Sequence, residues 1–168
     1  MRLRSAAALL VLGVLALTAP ARAQDEPPPI RSEAGDPSLQ SATEAARQSL
    51  PAFWARLDQD DPGLETPMVK IGYPTAHGGV EYLWLAVTSH NSATVSGRLV
   101  NEPEDVPEVQ MGQDVVVEAD RVVDWAYRKN GKWFGQFTTR ALLERADPET
   151  YKSVSEDLAP TPLEPESN

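Results

Sequence analysis

The chain has 168 residues, with 15 Lys and Arg against 25 Asp and Glu and a formal charge of -10. That length suits a single domain, and so acidic a balance lacks the basic surface that a phosphate backbone requires, which argues against nucleic acid as a partner. The absence of Cys removes disulfides, thiol nucleophiles, Cys zinc sites and haem attachment, while 15 prolines point to loose flanks around a compact middle.

Met1-Arg2-Leu3-Arg4 forms a basic start, Ala6 to Thr18 is an uncharged apolar run, and Ala21-Arg22-Ala23 offers small residues in a cleavage pattern. This reads as a secretory signal over residues 1–23, since the apolar run is shorter than the ~20 residues a bilayer core needs. An exported protein, periplasmic or secreted, is expected, with no membrane span after cleavage. Loss of Arg2, Arg4 and Arg22 takes the formal charge from -10 to -13. Residues 24–37, with Pro27-Pro28-Pro29 and no apolar period, read as a disordered linker.

Asp36-Pro37 and Ser41-Ala42-Thr43-Glu44 are both helix-start signals. Leu39, Ala42, Ala46, Leu50, Phe53 and Leu57 then recur at steps of three and four, an amphipathic stripe with Trp54 on its shoulder. Pro51 lacks the N–H for its helical bond, so a kink or break is expected near Ser49. Asp58 to Gly63 superficially matches the opening of a calcium loop, but Pro62 and Val69 stand where ligands are needed, and the segment reads as a solvated turn.

From Pro67 the period changes to two. Val69, Ile71 and Tyr73 alternate with Met68, Lys70 and Gly72, and Val80–Thr88, Thr94–Val100 and Asp114–Glu118 follow as strands. Arg121 to Thr139 reads as two strands joined by a two-residue Asn130-Gly131 turn. The acidic stretch from Asn101 to Glu108 is a Pro-stiffened connection. Asp147-Pro148-Glu149 starts a short helix, and Ala159 to Asn168 reads as a disordered acidic tail. The expected fold is α+β, with the N-terminal helix packed on a curved antiparallel sheet of about five to six strands. The domain spans 38–146, with the short helix and tail in 147–168.

His77 and His90 flank a strand and cannot share a metal if it forms, no Gly-rich phosphate loop or nucleophile motif occurs, and no cofactor is expected. Glu81 and Asp124 interrupt apolar strands as a paired-carboxylate hydrolase would require; alternatively each faces outward, or is buried and satisfied by backbone N–H groups, Lys70 or Arg140. The hairpin register pairs Arg128 with Trp133, Ala126 with Gly135 and Asp124 with Phe137 on one face, and turns Trp125, Tyr127 and Phe134 to the core. Ala126 opposite Gly135 leaves a gap, to be filled by another segment of the chain or by a ligand. Asp124, Ala126, Arg128, Trp133, Gly135 and Phe137 are therefore the candidate binding surface.

Six pieces in order, Met68 to Ile71, Glu81 to Trp84, Gly97 to Pro103, Gly112 to Val115, Val123 to Trp125 and Gly135 to Arg140, resemble the domain of unknown function family DUF2314 over roughly Ala42 to Leu142. The resemblance implies a small bacterial α+β domain, commonly exported, without assigned catalytic residues. The family's typical Asp-Trp-Met reads Asp124-Trp125-Ala126 here. A non-catalytic module binding an envelope protein or a small ligand is the first reading; a carboxylate-based envelope hydrolase and an immunity-like inhibitor of a basic partner are the alternatives.

Overall fold

A computed structural model describes residues 36–59, 61, 63–76 and 78–165. The signal, most of the linker and His77 lie outside the described residues, as do Asp60 and Pro62 of the acidic turn.

Helix α1, Pro37–Asp58, starts at Asp36, whose carboxylate accepts the Ser38 amide at 2.9 Å, with Pro37 in the first turn where its missing N–H costs nothing. Of the kink or break expected near Ser49, the break does not occur: the helix runs through Pro51. Ala46 and Phe53, on either side of the proline, are both buried against the sheet. The Trp125 indole N–H reaches the Ala46 carbonyl at 3.1 Å and the Ser49 hydroxyl at 3.0 Å, while Ser49 Oγ donates to the Ala45 carbonyl. Packing on both turns and this hook across the weak point outweigh the lost bond.

Strands β1 (Glu65–Pro74), β2 (Val80–His90), β3 (Thr94–Leu99), β4 (Asp114–Glu118), β5 (Val122–Lys129) and β6 (Lys132–Gly135) form one open antiparallel sheet in the order β4-β3-β2-β1-β5-β6. A 3₁₀ turn, Ala119–Arg121, leads into β5, and Arg47 of α1 fastens it by donating to the carbonyls of Val122 at 3.0 Å and Asp120 at 3.3 Å. Alternation puts Val69, Ile71, Tyr73, Leu83, Leu85, Val95, Val117, Trp125 and Tyr127 on one face. There Phe53 stacks on Trp125 at 5.2 Å, and Tyr127 stacks on Phe134 at 5.3 Å.

The Asn130-Gly131 hairpin has the expected register, with Ala126 opposite Gly135, Tyr127 opposite Phe134 and Arg128 opposite Trp133. Its second strand is shorter than expected. Gly135 (φ 72°) and Gln136 (φ 55°) are both left-handed, which ends the pairing, and Phe137 begins helix α2, Phe137–Leu143. Phe137 is thus not the cross-strand partner of Asp124. Helix α3, Pro148–Ser155, follows Asp147, whose carboxylate accepts from the amides of Glu149 and Thr150.

The segment after α3 is docked as far as Glu164 rather than loose. It lies on the outer edge of β6: Trp133 N–H donates to Asp157, Ala159 N–H to Trp133 and Gly135 N–H to Pro162. Arg140 clamps this joint by donating to the carbonyls of Gly135, Trp133 and Ala159. Glu164 then accepts from the Tyr127 hydroxyl at 3.0 Å and pairs with Arg56 and Lys129, while Lys129 also meets Asp61 at 2.8 Å. Composition favoured disorder, but the unpaired backbone of β6 supplies partners that composition does not record.

The Lys129 ammonium holds the Asp61 carboxyl below its ordinary value of 3.8. A depressed carboxylate contributes its full stabilisation above that value and loses it as the pH falls through the lower folded value. Exchange of the Ala159 amide should therefore accelerate beyond its intrinsic acid dependence as the pH drops below 3.8. Lys129→Met should show faster exchange already at neutral pH, measured by hydrogen exchange.

Candidate functional site

The face opposite the core is assembled by cross-strand register. One row runs Trp84–Lys70–Asp124 and the next Arg98–Ala86–Met68–Ala126–Gly135, with Tyr82 beside Gly72 and Arg128 beside Trp133. None of these residues belongs to the buried cluster, whose sheet members all come from the other face. Tyr82 is 54% exposed, and Met68, Trp84, Arg128 and Trp133 are half-buried.

Asp124 lies on this face and is 0% exposed. Its Oδ1 accepts from the amides of Trp125 at 2.8 Å and Phe137 at 3.2 Å, and its Oδ2 from the Thr138 amide at 2.8 Å and hydroxyl at 2.6 Å. Gln136 makes no side-chain cap on α2, so a strand residue twelve positions upstream caps the helix instead. Lys70 Nζ donates to Thr138 Oγ1 at 2.7 Å and stands 4.7 Å from the Trp84 ring centroid. Burial pushes the Lys70 ammonium below its usual range, and the Asp124 charge pulls it partly back.

The acidic pair is not assembled. Glu81 lies opposite Tyr73 on the core-side set, whereas Asp124 lies opposite Lys70 on the other. Glu81 staples the 101–108 connection, its two oxygens accepting from the amides of Glu104 at 2.8 Å and Asp105 at 2.9 Å. Asp124 has its oxygens taken up by backbone and Thr138, an arrangement that builds a helix end rather than an acid or base.

The expected gap is also closed. Ala126 is 0% exposed and Gly135 is buried. A Cβ on Gly135 would stand 2.1 Å from the Trp125 carbonyl oxygen, so the glycine permits close backbone approach rather than leaving an opening. Phe137 packs edge-on against Trp125 at 5.6 Å. Of the six candidate surface residues, Arg128 and Trp133 remain accessible, with the guanidinium 6.0 Å from the indole centroid. Arg128 Nε is buried without a hydrogen-bond partner, and no carboxylate among the described residues pairs with this side chain.

Met68, Tyr82 and Trp84 complete the face and escaped the sequence reading of the site; the two-residue alternation in β1 and β2 was the signal that could have found them. His90 is engaged elsewhere, 3.0 Å from Asp58 and stacked on Trp54 at 4.4 Å. Among the described residues, no three His, Asp or Glu side chains converge as a metal site.

The architecture is that of a small α+β domain whose sheet packs one face into the core and, on the other, buries Asp124, Ala126 and Gly135 while leaving Tyr82 exposed and Met68, Trp84, Arg128 and Trp133 half-buried. Residues 36–158 match the family described as "Uncharacterized protein conserved in bacteria (DUF2314)", and the chain belongs to that family. It is 29% identical over 117 residues to a protein of Neisseria meningitidis serogroup B named "Putative ankyrin repeat protein", covering 66% of this chain and 46% of that one. It is 27% identical over 106 residues to the Escherichia coli K12 "Uncharacterized protein YegJ", covering 63% of this chain and 67% of that one. The chain thus spans less than half of the Neisseria relative. No solved structure matches.

Three substitutions at two positions separate structural from functional roles here. Asp124→Ala should lower stability by about 3–5 kcal/mol in urea unfolding, because it strips a buried carboxylate from a helix end and leaves Lys70 uncompensated; Asp124→Asn should cost about 1–3 kcal/mol. Gly135→Ala should cost about 1–3 kcal/mol through overpacking and its left-handed backbone, without altering any function of the face opposite the core.

Proposed function

We propose that this is an exported bacterial protein acting as a non-catalytic binding module through the sheet face opposite the core. The observation that carries the reading is the set of Tyr82, Trp84, Met68, Arg128 and Trp133, exposed or half-buried around the buried Asp124 and Ala126 on one side of the sheet. Aromatic rings and an arginine without a carboxylate partner are the side chains that contribute most at recognition surfaces. The hydrolase alternative is less well supported, because Glu81 and Asp124 lie on opposite faces of the sheet. Export rests on the basic start, apolar run and Ala21-Arg22-Ala23 of the sequence.

The test places a photo-crosslinking residue at Tyr82 on the face or at Tyr151 on α3, both exposed, in protein expressed from the full chain. A discrete adduct in the envelope fraction is expected from Tyr82 alone, on protein whose intact mass begins at Gln24. Arg128→Glu should abolish it while leaving the melting temperature within a few degrees. Identical adducts from both positions, or none, would sink the reading.

A further inference from the structure

The two edges of the sheet are treated differently. The outer edge of β6 is covered by the chain itself, through the bonds to Asp157, Ala159 and Pro162. The outer edge of β4 has no strand or segment bonded to it among the described residues.

Hydrogen-bond parity fixes which groups β4 presents. The Ala119 amide donates to the Ala93 carbonyl at 2.8 Å, and the Leu99 amide to the Gln113 carbonyl at 2.9 Å. Between these ends the register is continuous, with Val95 opposite Val117 and Gly97 opposite Val115. In an antiparallel ladder the bonded pairs alternate, so these are the bonded positions, and the N–H and C=O groups of Asp114, Val116 and Glu118 point away from β3. The outward register therefore reads acid, apolar, acid. Val116 is 67% exposed. Asp114 is engaged by Arg98 at 2.8 Å and 3.0 Å, whereas no cation among the described residues pairs with Glu118.

A second copy is a poor occupant. Pairing two β4 strands antiparallel about Val116 would set Asp114 against Glu118 of the other copy at both ends, like charge opposite like, between chains that each carry -10. A segment with basic residues flanking an apolar one at alternate positions would meet the unpaired Glu118 at one end, the Arg98-paired Asp114 at the other and an exposed valine at the centre. We infer that β4 is a strand-addition site for an extended basic segment of a partner protein. This rests on reading the chain as an interaction module, but it uses the edge rather than the face opposite the core, so the two can fail separately.

The probe is acetyl-Thr-Lys-Thr-Val-Thr-Lys-Thr-amide, with the same peptide carrying Glu for Lys as its counterpart, added at millimolar concentration to the folded protein labelled with nitrogen-15. The basic peptide should shift and protect the amides of Asp114, Val116 and Glu118, weaken with added salt, and bind at least tenfold tighter than the acidic one. Glu118→Lys should erase that preference. Val116→Pro removes only an outward-facing N–H and should reduce binding tenfold or more with the fold retained; if that variant does not fold, Glu118→Lys still decides. Arg128→Glu, on the face opposite the core, should leave peptide binding unchanged. Equal binding of both peptides, shifts confined to Lys70 and Trp84, or no shifts at all would overturn the proposal.

Discussion

The arrangement of this domain depends on one buried carboxylate. Asp124 collects three backbone amides and a hydroxyl at the point where β6 gives way to α2. A seven-residue helix is too short to stand alone in water, and its first N–H groups would otherwise be orphaned against the sheet. The carboxylate satisfies them and thereby fixes where the chain turns. It also sets the next shell: Thr138 is held by Asp124, Lys70 by Thr138, and the Lys70 ammonium is left over the Trp84 ring. The arrangement of Lys70 and Trp84 on this face thus follows from a helix cap supplied by a residue of the same row.

What could be read from the sequence divides along physical lines. Period two and the Asn-Gly turn are local signals, and they gave the strands and the hairpin register. The turning of Trp125, Tyr127 and Phe134 to the core follows from the same parity. The continuation of α1 through Pro51 was not legible, because the hook from Trp125 to Ala46 joins residues far apart in the chain. The end of β6 was hidden for a similar reason: nothing in Phe137-Thr138-Thr139 favours a helix locally, and the cap comes from another strand. Asp124 was recognised as a residue needing an explanation, and the satisfied-acid alternative describes its surroundings. Met68 and Trp84 follow from the alternation of β1 and β2, whereas the small pair Ala126 and Gly135 marks a close backbone approach rather than an opening.

Charge is distributed so as to close one edge and leave another available. Glu164 and Asp61 are consumed by Arg56, Lys129 and the Tyr127 hydroxyl, and this cluster holds the tail segment against the end of α1. Isolated surface pairs contribute little, but here they accompany backbone bonds to β6 and the Arg140 clamp, so the segment is fastened by a network. The acids of β4 have no comparable role. Acidic side chains at an edge disfavour pairing between copies, and on the proposed reading the same charges would favour a cationic strand, so that both properties would come from one feature.

A partly uncovered sheet face must also remain soluble without its ligand. Lys70 bears on this because its ammonium covers the Trp84 ring while its stem lies along the sheet, so the aromatic surface shown to water is smaller than the side-chain list implies. Burial already disfavours its charged form. A partner that reached Trp84 would therefore compete with a cation whose hold on the ring is balanced against the Thr138 hydroxyl and the Asp124 charge behind it. Arg128 differs: its guanidinium leans on Trp133, its Nη2 makes one long bond of 3.4 Å to the Gly131 carbonyl, and no carboxylate among the described residues pairs with it, so an anionic group would have only that weak bond to displace. If this face binds as proposed, Arg128 and Trp133 would be engaged first, and the Lys70–Trp84 pair would open only to a ligand that compensates the cation it moves.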